Sequence, residues 1–126
     1  MPFKYTGIIV KDLDQSIKFY TEVFSMKLKA RIKNEYTNGE FAVLTNEEDD
    51  GHHLELNWYS GKKDYTNGDE LDHLGFQVKD ARSELERFRR LGITIAQEPY
   101  ESENVVVFFA KDPNGIWLEI YSRKAT

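Results

Sequence analysis

Residues 7–12 read Gly-Ile-Ile-Val-Lys-Asp, and residues 75–80 read Gly-Phe-Gln-Val-Lys-Asp, so the chain repeats a strand-like segment that ends at an aspartate. A second repeat follows in each half, because Leu-Glu-Leu at 54–56 returns as Leu-Glu-Ile at 118–120. Such self-similarity indicates two related structural modules. The repeat therefore decides the fold prediction and also shows which positions correspond between the two halves.

Length, composition and net charge limit the classes of protein to which this chain can belong. The chain has 126 residues, of which 40% are hydrophobic, which suits one compact domain or two half-size modules that share a core. Its net charge of −5 argues against a nucleic-acid partner, which would normally require a basic face. The absence of cysteine excludes disulfides, thiolate zinc sites and cysteine nucleophiles. Without a signal core or the ~20 consecutive apolar residues of a membrane span, we expect a cytoplasmic protein with no membrane partner.

The same order of elements is predicted in both halves. Each first strand ends at an aspartate whose carboxylate can accept hydrogen bonds from the free N–H groups of a following helix. Helical spacing of apolar residues follows, and then three strand-like runs. The predicted strands are 3–10, 26–33, 40–45, 52–59, 71–78, 92–97, 104–110 and 116–122, and the predicted helices are 13–24 and 81–91. The helix residues predicted to be buried are Leu13, Ile17, Tyr20, Phe24, Ala81, Leu85, Phe88 and Leu91.

These elements predict an α+β fold made of two tandem βαβββ modules. The first module is 1–60, the polar connector is 61–70, and the second module is 71–126. Since each helix would cover one face of its own sheet, the other two faces are left to form a concave, barrel-like sheet cavity.

Period-2 alternation along the strands places four polar side chains on the faces that the helices leave uncovered. They are Tyr5, Glu55, His73 and Glu119. A carboxylate between two buried apolar neighbours is costly unless it is paired or binds a metal. Imidazole and carboxylate together suit a divalent ion such as Ni²⁺, Zn²⁺, Co²⁺, Mn²⁺ or Fe²⁺. The pattern favours a metal site, and solvent-exposed glutamates on an antiparallel sheet are the alternative.

Other candidate residues carry less weight. His52 and His53 adjoin the acidic run 47–50, which is typical of a solvated hairpin loop. His53 shares a strand face with Glu55, so it is a weaker candidate for a metal ligand or a substrate contact. The aromatic residues that could line a cavity, or simply fill the core, are Trp58, Phe109, Trp117 and Tyr121.

The chain resembles the vicinal oxygen chelate superfamily, whose fold is also called the glyoxalase/bleomycin resistance/dihydroxybiphenyl dioxygenase fold. Within that superfamily it is similar to the short bacterial glyoxalase I (lactoylglutathione lyase) proteins. The resemblance covers almost the whole chain and rests on segments 7–20, 54–56, 72–75, 112–115 and 118–120. It implies a small-molecule substrate and a homodimer, with the modules paired either within one chain or across two chains.

The resemblance also implies a ligand set for nickel or zinc, with cobalt, manganese or iron as alternatives. Three of the family's metal ligands fall on Glu55, His73 and Glu119. The fourth, a histidine or glutamine of the first strand, falls on Tyr5. A phenol at that position either binds the metal as phenolate, donates a hydrogen bond to a metal-bound water, or leaves a coordination position vacant.

The reaction that the resemblance implies is isomerisation of a 2-oxoaldehyde–thiol hemithioacetal, through a metal-bound enediolate, to a 2-hydroxyacyl thioester. Glu119 would move the proton, with Glu55 as the alternative. Ile9 and Tyr59 occupy positions that bind glutathione in the family, so another thiol fits equally well. Two further functions stay open, namely a non-catalytic, antibiotic-type binding protein and an extradiol dioxygenase-type enzyme. The dioxygenase set of two histidines and one carboxylate lacks its first-strand histidine here.

Overall fold

A computed structural model describes residues 1–61, 65, 66, 68 and 70–124 of the chain. The chain divides into two compact units, Met1–Thr66 and Asn67–Thr126. Among the described residues, each unit contains one helix and one four-stranded sheet. Part of the predicted connector and the end of the second predicted module, namely Lys62, Lys63, Asp64, Asn67, Asp69, Ala125 and Thr126, lie outside the described residues.

The two units have the same order of elements, which confirms the prediction of two βαβββ modules. The first unit consists of β1 (Tyr5–Ile9), α1 (Leu13–Phe24), β2 (Lys27–Asn34), β3 (Gly39–Thr45) and β4 (His53–Trp58). The second unit consists of β5 (Leu74–Gln77), α2 (Ala81–Arg90), β6 (Ile95–Glu101), β7 (Val105–Lys111) and β8 (Trp117–Arg123). Neither sheet closes into a barrel over the residues described. The concave cavity stays a prediction.

Both sheets are mixed, and their strand orders correspond. The first sheet runs β1-β4-β3-β2 and the second runs β5-β8-β7-β6. In each sheet the first and last strands of the module pair in parallel, while the other pairs are antiparallel. Gly7 lies opposite Glu55 in the first parallel pair, and Gly75 lies opposite Glu119 in the second. The sequence repeat is therefore also a repeat of strand register.

Aspartate side chains begin both helices, as predicted. Asp12 accepts a hydrogen bond from the backbone N–H of Gln15 at 3.0 Å, and Asp80 accepts one from the N–H of Arg82 at 3.1 Å. Each carboxylate thus satisfies a donor that the first helical turn leaves free. Helix α2 ends at Arg90, and Gly92 then adopts a φ of 74°.

The buried stripes of the helices differ in part from the prediction. In α1 the buried residues are Leu13, Ser16, Tyr20 and Val23. Ile17 and Phe24 were predicted to be buried, but they are only half-buried, because the stripe is rotated by one position toward Ser16 and Val23. Leu91 was also predicted to be buried, but it is 56% exposed, since it follows the last turn of α2 and has left the packed face.

Alternation along the central strands agrees with the prediction. Leu54 and Leu56 are buried on β4, and Leu118 and Ile120 are buried on β8. The glutamate between each pair therefore projects from the opposite face of its sheet. In the described part of the chain, none of the helices has the length and apolar character that a membrane span requires.

Candidate metal centre

His73 and Glu119 converge at one end of the second sheet. His73 immediately precedes β5, and its Nε2 atom lies 3.3 Å from the Oε2 atom of Glu119 on β8. The parallel register of β5 and β8 makes this contact possible because it sets Gly75 opposite Glu119. Both side chains are half-buried, with exposed fractions of 32% and 28%. Two of the four predicted site residues are thus brought together within one unit.

Asp72 contacts Nδ1, the second ring nitrogen of His73. Its Oδ1 atom lies 2.6 Å from Nδ1 of His73, although the Asp72 side chain is 91% exposed. A carboxylate on one ring nitrogen fixes the tautomer and the orientation of the ring, as is usual for histidines that bind metals. Sequence patterns alone assign Asp72 no role beyond membership of the segment 72–75. Its position directly before His73 was the signal that could have identified it.

A positive charge between Nε2 of His73 and Oε2 of Glu119 stabilises their contact. If the ring proton is on Nδ1 and is donated to Asp72, then Nε2 presents a lone pair to a carboxylate oxygen. A proton or a cation between those atoms relieves the repulsion. Two ligands that each lie about 2.1 Å from one ion, at an angle of about 105°, are roughly 3.3 Å apart. The donors and their spacing therefore fit a divalent metal.

An aromatic ring packs against the imidazole of this pair. The ring of Phe109 on β7 meets the ring of His73 edge to face, with centroids 5.3 Å apart. Trp117 in turn packs against Phe109, with ring centroids 5.6 Å apart. Apolar neighbours lower the local polarity and so strengthen electrostatic interactions at the pair. One of the predicted cavity-lining aromatics, Phe109, thus contacts the histidine, and a second, Trp117, packs against Phe109.

Glu55 is the corresponding glutamate of the first unit. It lies on β4, half-buried, opposite Gly7 on β1 and Val43 on β3. Its carboxylate makes no hydrogen bond or ion pair with any of the residues that the structure describes. A half-buried carboxylate that lacks a protein partner is suited to binding a cation.

Tyr5 and His53 face each other across the parallel strands β1 and β4. Tyr5 is 53% exposed. The Nε2 atom of His53 is buried and has no hydrogen-bond partner among the described residues, and the nearest carboxylate oxygen, Oδ1 of Asp49, is 3.6 Å away. A hydrogen bond from Lys29 is the largest cause that lowers the pKa of Asp49, and an interaction with His53 contributes in the same direction. Asp49 is therefore anionic and faces the imidazole.

Across the described ranges, no group of three or more His, Asp or Glu side chains lies close enough to hold a metal ion. The second unit brings together His73 and Glu119, and the first unit carries Tyr5 and Glu55. The set of four residues therefore stays a prediction.

The fold and these residues define a class of protein. The sequence profile described as "Glyoxalase/Bleomycin resistance protein/Dioxygenase superfamily" matches residues 3–120, and the chain belongs to this superfamily. A probable lactoylglutathione lyase of Vibrio parahaemolyticus is 32% identical over 123 residues, which cover 95% of this chain and 89% of the relative. The lactoylglutathione lyase of Haemophilus influenzae is 30% identical over 129 residues, which cover 100% of this chain and 96% of the relative.

Solved structures of glyoxalase I are also similar to this chain. The trypanothione-dependent glyoxalase I of Leishmania major matches with a TM-score of 0.86 and 28% identity, over 97% of this chain and 86% of that one. Glyoxalase I from Zea mays matches with a TM-score of 0.85 and 28% identity, over 98% of this chain and 45% of that one. The same βαβββ architecture thus serves glyoxalase I in both organisms.

Proposed function

We propose that this protein is a metal-dependent lyase of the glyoxalase I type. Its reaction is isomerisation of the hemithioacetal formed by a 2-oxoaldehyde and a thiol to a 2-hydroxyacyl thioester. The single observation that carries the proposal is the contact of His73 with Glu119, with Asp72 holding the other side of the ring. Relatives that bear the name lactoylglutathione lyase and cover nearly the whole chain support it.

The proposed metal ligands are Glu55, His73 and Glu119, and Tyr5 stands where the family has a fourth ligand. Nickel or zinc fits this mixed nitrogen and oxygen set best, and cobalt, manganese and iron are the alternatives. Bound there, a divalent ion acts as a Lewis acid that polarises two neighbouring oxygens of the substrate.

Proton transfer is the task of a glutamate. Glu119 removes the proton from the carbon that bears sulfur, and the electrons of that C–H bond form the carbon–carbon double bond of an enediolate. The same carboxylate returns the proton to the adjacent carbon, and the hydroxyl proton of the first carbon passes to the oxygen of the second. The first carbon thereby becomes the thioester carbonyl and the second bears the hydroxyl. Only Oε2 of Glu119 contacts His73, which leaves Oε1 for this work. Glu55 is the alternative base.

The identity of the thiol is a separate part of the proposal. Ile9 lies on β1 and is partly exposed, on the same face as Tyr5 and Gly7. An isoleucine cannot form an ion pair with a thiol that carries carboxylates, as the arginine of the family does. We therefore propose a thiol other than glutathione, or weak use of glutathione.

An isomerase assay tests the proposed function. Protein stripped with a chelator is reloaded with Ni²⁺ or Zn²⁺ and mixed with methylglyoxal and each of several thiols, and the thioester is followed by its ultraviolet absorbance. We expect turnover with at least one metal and thiol, and none in the stripped protein. A protein that binds these compounds with every metal but turns none of them over is instead a binding protein.

We further propose that the protein is cytoplasmic and forms a homodimer. Exposed apolar side chains occur on the open faces of both sheets, among them Tyr5 and Ile9 on β1 and Trp117 on β8. Exposed apolar surface of this kind is commonly covered by a partner. Sedimentation velocity should give twice the mass of one chain, and a mass of one chain at micromolar concentration would contradict the dimer.

A further inference from the structure

Lys111 lies on the same face of the second sheet as Glu119. It is the last residue of β7 and lies opposite Trp117 on β8, while Phe109 of β7 lies opposite Glu119. Residues two apart on a strand share a face, so Lys111 and Glu119 are diagonal neighbours, about 7–8 Å apart, across this pair of strands. The side chain of Lys111 therefore begins one diagonal step from the proposed base.

The ammonium group of Lys111 has no carboxylate partner among the described residues, although the residue is half-buried. The other half-buried lysine and arginine of the second unit are both paired in the described structure. Lys124 lies 2.6 Å from Glu101, and Arg87 lies 2.8 Å from Glu84. A cation that is partly removed from water and lacks a counter-charge is suited to binding an anion.

The carboxylate nearest to Lys111 in sequence serves the following turn. Oδ1 of Asp112 accepts hydrogen bonds from the backbone N–H groups of Asn114 and Ile116, both at 2.8 Å. The backbone N–H of Lys111 donates to the carbonyl oxygen of Thr94 at 3.0 Å, which fixes the end of β7 against the rest of the unit. Lys111 is thus held in position, while the adjacent acid is engaged elsewhere.

We propose that Lys111 binds a carboxylate of the substrate, so that the protein prefers substrates with an acidic group near the reacting carbon. This inference rests on the proposed isomerase function and extends it to a class of substrate. The rings of Phe109 and Trp117, with centroids 5.6 Å apart, lie on the same face beside Lys111 and Glu119. Their low polarity strengthens the attraction between ammonium and carboxylate. The acidic group belongs either to the thiol or to the oxoaldehyde.

Paired substrates that differ by one charge test this role and separate the two sources. N-acetylcysteine and its amide differ in the charge of the thiol, whereas carboxyphenylglyoxal and phenylglyoxal differ in the charge of the oxoaldehyde. We expect the metal-loaded protein to show a kcat/KM that is roughly tenfold higher for the acid in one of these pairs, as one charge-assisted hydrogen bond provides. Calorimetric binding of the corresponding thioester products gives a second readout that needs no turnover.

Variants of Lys111 show whether its charge causes the preference. Lys111→Met should abolish the preference for the acid, Lys111→Arg should keep it, and Lys111→Glu should reverse it. Lys18→Met is the matched control and should keep the preference, because Lys18 is exposed on α1. The melting temperatures of the variants report whether the fold is intact.

The outcomes distinguish this inference from the proposed function. Turnover without a preference in either pair, or a preference that Lys111→Met leaves intact, overturns the role of Lys111 alone. A preference lost only in Arg123→Met also overturns it, since Arg123 is an exposed cation on β8 whose guanidinium lies 6.0 Å from the ring centroid of Tyr121. Tighter binding of the acidic thioester by wild type than by Lys111→Met, without turnover of any substrate, overturns the proposed function alone. Neither turnover nor binding overturns both.

Discussion

The Nε2 atom of His73 and the Oε2 atom of Glu119 lie 3.3 Å apart, although His73 immediately precedes β5, Glu119 lies on β8 and most of the second unit separates them in sequence. Parallel pairing of β5 with β8 produces this contact, since Glu119 lies two positions beyond the point opposite His73. The same pairing of β1 with β4 places Glu55 at the corresponding point of the first unit. A duplicated strand register thus explains why the candidate ligands occupy repeated positions.

Replacing the proposed base with the corresponding amide removes the carboxylate that accepts the proton but keeps the shape of the side chain. Glu119→Gln should lower the isomerase rate by about 10²–10⁴-fold, the usual contribution of a positioned general base. Glu103→Gln is the matched control, because Glu103 is exposed in the turn before β7. A steady-state assay with saturating metal measures the effect. A Glu119→Gln rate equal to that of wild type would move the base to Glu55 or refute the mechanism.

Asp72 should act through His73 rather than through the fold. Asp72→Asn keeps the size of the side chain but weakens the 2.6 Å contact with Nδ1, so metal affinity should fall by roughly 10–100-fold. The melting temperature of the metal-free protein should hardly change, because this side chain is almost fully exposed. Calorimetric titration with Zn²⁺ gives the affinity. Equal affinities in Asp72→Asn and in Asp14→Asn, a control on α1, would show that Asp72 does not position the ring.

The hydrophobic cores of the two units should lose similar amounts of stability when a buried side chain is shortened. Leu56 and Ile120 are fully buried at positions that the repeat relates, so Leu56→Ala and Ile120→Ala should each lower the free energy of unfolding by about 2–5 kcal/mol. Leu28→Ala on the exposed face of β2 should change it by no more than about 0.5 kcal/mol. Urea unfolding measures all three. A loss below about 1 kcal/mol at either buried position would contradict the packing described.

An ion-pair cluster on the second unit should make stability depend on pH. Hydrogen bonds from Lys124 and then Arg82 lower the pKa of Glu101 from 4.5 to about 2. Because the folded-state pKa is the lower one, the stabilisation is complete above about pH 4.5 and is lost as the pH falls toward 2. Glu101→Gln should therefore melt below wild type at pH 7, and the gap should close near pH 2. A gap that stays constant over this pH range would refute the assignment.

Patterns along single strands and helices could be predicted from the sequence. Alternation placed Glu55 and Glu119 on the faces opposite buried leucines, and the aspartates before each helix marked where the helices begin. The errors at Ile17 and Leu91 arose because periodicity does not fix the rotation of a helix on its sheet or the residue at which it leaves the packed face. Those details depend on packing between elements.

The atomic contacts of the site could not be predicted in the same way. The sequence shows that His53 shares a face with Glu55, but only the register of β1 and β4 shows that it lies opposite Tyr5. Asp49 and Asp72 reach their histidines through backbone turns and side-chain rotamers that no periodicity encodes. Sequence patterns therefore predict on which face of a sheet a side chain lies, whereas strand pairing and rotamers determine which side chains are in contact.

We propose that the activity of this chain requires one divalent ion bound by Glu55, His73 and Glu119. The most direct measurement titrates metal-free protein with Ni²⁺ or Zn²⁺ and records bound metal and isomerase activity on the same samples. We expect activity to rise in proportion to bound metal and to saturate at about one ion per chain, because each chain carries one copy of each proposed ligand. Isomerase activity that is already present in metal-free protein, or saturation with metal that brings no activity with any thiol, would contradict it.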